Sequence, residues 1–115
     1  MACPPGERHD LPLLACAVVL ARLGHRVYYL GPNAPMDELF AMARVVRPDA
    51  VVLAATRTTA FEAHATALRI LARDRTLAEA GAGATDEVVE LCSASALRGD
   101  PVSGAHQLAG ALRAG

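Results

Sequence analysis

Hydrophobic positions run nearly unbroken from Leu11 to Leu23, with Arg22 the one interruption, and Gly24 closes the run. Length and composition predict a helix over Leu13–Leu23. Asp10 can cap its start, and Pro12 is tolerated in a first turn. Arg26–Leu30 (RVYYL) is β-branched and aromatic, which predicts a strand. Gly31-Pro32-Asn33 turns the chain. Pro35 then opens a second helix to about Val46, with Asp37 and Glu38 near its positive end. Ala50–Ala55 is uninterruptedly apolar and reads as a central parallel strand covered on both faces. Thr59-Ala60-Phe61-Glu62 fits a capping box, starting a helix that ends near Arg73. Thr76–Ala80 sits where a further strand belongs, but its β propensity is weak and Glu79 is awkward in a buried sheet. A helix over Asp86–Cys92, a short strand within Ser93–Leu97 and a last helix from Asp100-Pro101 to about Arg113 complete the pattern.

Strands alternate with helices, so the fold class is α/β. A doubly wound, flavodoxin-like or Rossmann-like parallel sheet of about five strands is expected, with 1–115 as one domain. Such folds bind ligands beyond the carboxyl ends of their strands, where the winding reverses. The loops there are Pro4–Asp10, Thr56–Thr59, Gly81–Gly83 and Gly99-Asp100. Only Met1-Ala2-Cys3 remains for the first strand. The expectation is therefore a truncated or vestigial first strand.

Composition narrows the function. The chain has 115 residues, 53% hydrophobic and only 3% aromatic, so Ala, Val and Leu must build the core. Eleven basic against 12 acidic residues give a net charge of -1. No basic excess draws in nucleic acid or an anionic membrane surface. The Leu11–Leu23 run is too short to span a bilayer, and no basic stretch follows Met1 to suggest a signal peptide. Cys3, Cys16 and Cys92 are odd in number and widely spaced, which suggests reduced thiols in a cytoplasmic protein. His25, His64 and His106 have no carboxylate at useful spacing and read as surface residues. Tyr28 and Tyr29 alternate on the RVYYL strand, one expected in the core and one under a helix.

The chemistry concentrates in Cys3-Pro4-Pro5-Gly6-Glu7-Arg8-His9-Asp10. A loop of this kind lets a Glu-x-His pair meet, which a helix forbids. A carboxylate on one ring nitrogen orients a histidine whose other nitrogen ligates a metal. One protein ligand suffices only where a macrocycle fills the remaining positions. Set against this, an isolated loop histidine is more often a solvated hydrogen-bond partner, and Asp10 more often a helix cap. Gly81-Ala82-Gly83 resembles a phosphate-cradling turn, a weak signal alone.

The ordered stretches ACPPGERHDLPLL, GHRVYYLGPNAP, RPDAVVLAAT, GAGA and GDP resemble the cobalamin-binding domain of MerR-type transcriptional regulators over nearly the whole chain. The resemblance implies cobalamin as cofactor (adenosylcobalamin or methylcobalamin, the form not assigned). It implies His9 as lower axial cobalt ligand, with Glu7 as its carboxylate partner and Arg8 and Asp10 in the same loop. A slot for the displaced nucleotide tail would be lined near Thr56, Gly81 and Gly83. Three positions depart from the family pattern. Pro12 and Ala80 replace glycines, and Ala54 replaces a serine hydroxyl. A lost hydrogen bond is worth roughly 0.5–1.5 kcal/mol, and a clash of methyl-sized groups roughly 1–3 kcal/mol. The implied role is a non-enzymatic sensory module for transcription regulation. Its partners would be a corrinoid and a DNA-binding or helical cap domain on another segment or chain, with no direct nucleic-acid or membrane contact. Two other readings stay open: a degenerate domain without cofactor, and a corrinoid carrier subunit of a methyltransferase or mutase.

Overall fold

The computed structural model describes residues 1–114. The elements, in chain order, are α1 (Leu11–Arg22), α2 (Met36–Val46), β1 (Ala50–Ala54), α3 (Thr58–Glu62), α4 (Ala65–Leu71), β2 (Thr76–Ala80), α5 (Asp86–Leu91), β3 (Ser95–Ala96) and α6 (Pro101–Ala114). The three strands form a parallel sheet in the order β1-β2-β3, with Val52 opposite Ala78 and Glu79 opposite Ala96.

Two further segments extend the sheet without becoming strands. Ala2 bridges in parallel to both Leu53 and Gly31. Its N–H donates to Val52 O at 3.0 Å, and Leu30 N–H donates to Met1 O at 2.8 Å. The spatial order is thus 28–31, 1–3, β1, β2, β3. Among the described residues three strands stand where about five were expected. The predicted strand Arg26–Leu30 is corrected to an extended segment. Its propensity is right, but its neighbour Met1–Cys3 is too short to supply a ladder. Thr76–Ala80, the segment with poor propensity, lies instead between β1 and β3, paired on both sides, because a strand's place is set by packing on both faces more than by intrinsic preference.

Alternation along β1 sends Leu53 and Val51 to one face and Val52 and Ala54 to the other. The first face packs with Phe61, Leu68, Leu71, Leu77, Val88 and Cys92 beneath α2 to α5. The second packs with Leu13, Cys16, Leu20, Ala78, Ala105 and Leu108 beneath α1 and α6. Small residues dominate both clusters, as the low aromatic content requires. All three cysteines are buried and free.

Local signals held unevenly. Asp100 caps α6, its Oδ1 accepting from Ser103 N–H at 2.9 Å, and that bond holds its carboxyl below the usual range. The helix expected over Thr59–Arg73 is broken at Ala63-His64 into α3 and α4. No Gly or Pro marks the break, so periodicity alone could not show it. Thr59 lies inside α3 rather than at its N-cap, so the capping box does not form. Thr85 caps α5 instead, its Oγ1 accepting from Val88 N–H. Tyr28 is exposed, while Tyr29 packs against the α1 and α6 face.

Candidate functional site

The loop Pro4–Asp10 leaves the carboxyl end of the short first segment, so it stands on the rim where this fold class places ligands. Neighbouring backbone and side chains fix it. Asn33, in the left-handed region at φ 50, accepts from Gly6 N–H through Oδ1 at 2.8 Å. Asn33 N–H donates to Glu7 O at 2.7 Å, and Ala34 N–H donates to Cys3 O at 2.9 Å. The segment read only as a turn after Leu30 is therefore the loop's clamp.

Glu7 is buried. Its Oε1 accepts from both the backbone N–H and the Oγ1 of Thr56, the latter at 2.9 Å. Its Oε2 accepts from His9 N–H at 3.2 Å. Burial pushes this carboxyl up, but the donations from Thr56 and His9 outweigh it and hold the group below the usual range. Glu7 thus grips the backbone of His9 and the chain just beyond β1. Its oxygens face N–H and O–H donors rather than the imidazole. The His9 carbonyl also accepts from Cys3 Sγ at 3.8 Å. Burial, with Glu7 and Asp10 adding to it, raises the Cys3 thiol to about 11. Asp10 stands at the N-cap of α1 but makes no side-chain cap bond. Its Oδ2 accepts from Tyr29 Oη at 2.7 Å instead.

The consequence is a held backbone and a free ring. His9 is exposed, and its imidazole has no hydrogen-bond partner among the described residues. It lines the mouth of a cleft of about 120 Å³ that runs down between the sheet and α1 and α6. Pro12, Ala54, Thr56, Ala80 and Gly81 line it too, with Leu13, Cys16, Val52, Leu97 and Pro101 below and around them. Glu7, Arg8, Asp10 and Gly83 do not line it. Arg8 is exposed and makes no ion pair among the described residues, and Gly83 is buried. Leu13 and Cys16 on α1 escaped the sequence reading because they look like ordinary core positions.

The two glycines have a firm structural reason. A Cβ on Gly81, at φ +88, would stand 2.4 Å from Ala55 O. One on Gly83 would stand 2.5 Å from Arg57 O. These contacts let the Gly81–Gly83 turn lie flat on the chain beyond β1, where Gly83 N–H donates to Ala55 O at 2.9 Å. On the far side of the cleft, Arg98 fixes the rim. Its backbone exchanges two hydrogen bonds with the Gln107 amide, at 3.0 and 2.6 Å, and its guanidinium pairs with Asp86 at 2.7 Å.

A larger cavity of about 340 Å³ lies at the opposite end, between Val27, Leu39, Met42, Leu108 and Ala50. It contains none of the rim chemistry. No three His, Cys, Asp or Glu side chains converge to hold a metal among the described residues. His9 is thus a solitary donor, and it suits a metal whose other ligands arrive with it. An exposed imidazole without a protein partner, above an apolar cleft, fits that group. The cleft is tighter than the roughly 300–1,000 Å³ of most ligand pockets.

The family model for the B12 binding domain matches residues 1–89. The chain is 40% identical over 68 residues to the HTH-type transcriptional repressor CarA of Myxococcus xanthus, covering 59% of this chain and 24% of that protein. It is 37% identical over 62 residues to the repressor CarH of the same organism, covering 54% and 21%. The match therefore spans under a quarter of the length of these relatives. A cobalamin-binding protein from Desulfitobacterium hafniense superposes with a TM-score of 0.84 at 18% identity, over 94% of this chain and 55% of that one. The methanol:cobalamin methyltransferase complex of Methanosarcina barkeri gives 0.82 at 21%, over 99% and 45%. At these identities the structural likeness speaks to fold alone, while the family model covers most of the sequence. This chain belongs to the B12-binding domain family, whose cofactor is cobalamin.

Proposed function

We propose that this chain is a cobalamin-binding regulatory module in which His9 supplies the lower axial ligand of cobalt. One observation carries the proposal. The His9 backbone is held by Glu7 and Cys3, while its ring stands unpartnered at the mouth of the cleft. A ring so placed reaches a metal above the rim without breaking a protein contact. The cofactor would supply its own equatorial ligands. The protein contributes a preorganised donor, a slot for the nucleotide tail and a wall that excludes water. Glu7 acts as a positioning residue through the His9 amide and Thr56, which also lines the cleft on the β1 side.

Regulation without catalysis follows the likeness to the two repressors rather than to the methyltransferase complex, which shares only fold. A DNA-binding or helical cap domain would sit on another segment or chain. No helix among the described residues is long and apolar enough to cross a membrane, and the three free thiols suit a reducing, cytoplasmic setting.

One observation favours the reading without cofactor. The cleft is narrow and apolar, with methyl groups from Ala54 and Ala80 and the ring of Pro12 on its walls. The test separates the two. Mix the chain with hydroxocobalamin in the dark, pass it through gel filtration and record the spectrum. A co-eluting red chromophore whose bands shift in His9→Ala is expected. Colourless protein supports the degenerate domain and sinks axial ligation. Methyl transfer on adding a corrinoid methyltransferase would favour the carrier role.

A further inference from the structure

The outer face of α1 is unlike a solvated helix. No charged residue occurs from Leu11 to Ala21. Leu13, Cys16, Ala17 and Leu20 are buried against the sheet and α6, yet Leu11 is 69% exposed, Leu14 42% and Val18 48%. A helix apolar on all sides is normally covered on all sides.

The spacing says what covers it. Every fourth residue along this face is Asp10, Leu14, Val18 and Arg22, a single ridge with an acid at one end and a base at the other. Laid antiparallel on itself about the level of Cys16, the ridge is self-complementary. Leu14 meets Val18 of the second copy, Asp10 meets Arg22, and Leu11 falls opposite the small Ala21. Arg22 has no ion-pair partner among the described residues. Asp10 uses Oδ2 for Tyr29, which leaves Oδ1 available. Two-fold association requires one patch that complements itself, and this ridge sets apolar against apolar and acid against base.

We infer that α1 is a homodimer interface, two copies packing their Asp10–Leu14–Val18–Arg22 ridges antiparallel across a two-fold axis. The interface lies on the flank of the domain, with the cleft mouth left on the rim. It needs no cofactor and stands independently of the axial-ligand reading.

Sedimentation equilibrium of the cofactor-free full chain from about 10 to 200 µM tests it. A monomer–dimer equilibrium with a dissociation constant on the order of 10 µM is expected. Val18→Asp, at a half-exposed position, keeps the wild-type circular dichroism melt but weakens association about 100-fold. Arg22→Glu weakens it by about three- to tenfold at low salt, and the deficit closes near 1 M salt. Wild type that is monomeric throughout overturns the inference. So does Val18→Asp that dimerises as wild type does, which would place any interface elsewhere. Arg22→Glu with unchanged affinity overturns the antiparallel register.

Discussion

Glu7 and Glu79 are both buried glutamates near the carboxyl ends of the sheet, and their surroundings are opposite. Glu7 meets three donors, two on Thr56 and the His9 N–H. Glu79, the fourth of the five residues of β2, is fully buried, and neither carboxyl oxygen has a nitrogen or oxygen partner among the described residues. Burial raises its carboxyl to about 7, and the Cys92 thiol beside it pulls the other way. That thiol is itself pushed up to about 12, by burial first and then by Glu79. One side chain type therefore serves as a charged clamp in one place and, in the other, keeps its proton well above the ordinary carboxylate range. Depth and donor supply act together: Glu79 lies deeper and lacks the donors that Glu7 has.

The two groups must give opposite pH slopes, and that is the largest effect expected. Glu79 binds its proton more tightly folded than unfolded, with a folded value near 7 against an ordinary value of 4.5. Stability from this site is complete below about 4.5 and falls as pH rises to about 7. The full loss is about 3 kcal/mol, since each unit is worth roughly 1.4 kcal/mol. Glu79→Gln should flatten that limb. Thermal melts of both proteins from about pH 5 to 8 read it. Parallel slopes would show that Glu79 finds donors or water in solution.

Glu7 runs the other way. Its folded value is lowered, so its contribution is present above the ordinary value of 4.5 and is lost as pH falls through the folded one. Glu7→Ala leaves the Thr56 and His9 N–H groups without their acceptor and should cost about 2 kcal/mol at neutral pH. Denaturant melts at pH 7 measure it. Glu7→Gln keeps one acceptor oxygen and should cost about half as much. An alanine variant as stable as wild type would mean that water replaces the carboxylate without loss.

Much of this contrast was legible in the sequence. The Glu7-Arg8-His9-Asp10 loop, the rim position of Thr56 and Gly81, and the oddness of Glu79 in a buried strand all follow from local order and alternation. What could not be read was the direction of the polar contacts. Glu7 faces Thr56, 49 residues away, and Tyr29 takes Asp10 from 19 residues away. Such pairs exist only once the sheet has brought distant loops to one rim. The strand expected at Arg26–Leu30 failed for a related reason: propensity belongs to a segment, but pairing belongs to its neighbour.

Asn33 gives the smallest and sharpest test, because it separates loop rigidity from the carboxylate. The residue offers a left-handed backbone, at φ 50, and a side-chain acceptor for Gly6 N–H at 2.8 Å. Asn33→Gly keeps the backbone freedom and removes only the acceptor. The Gly6 amide is exposed and regains water, so stability should fall by about 1 kcal/mol or less. Hydrogen exchange of the Gly6 to His9 amides should nonetheless speed up, because the clamp now relies on the Asn33 N–H to Glu7 O bond alone. If exchange across the loop is unchanged in Asn33→Gly, the rigidity that presents the His9 ring comes from Glu7 and Thr56, and the turn after Leu30 only routes the chain.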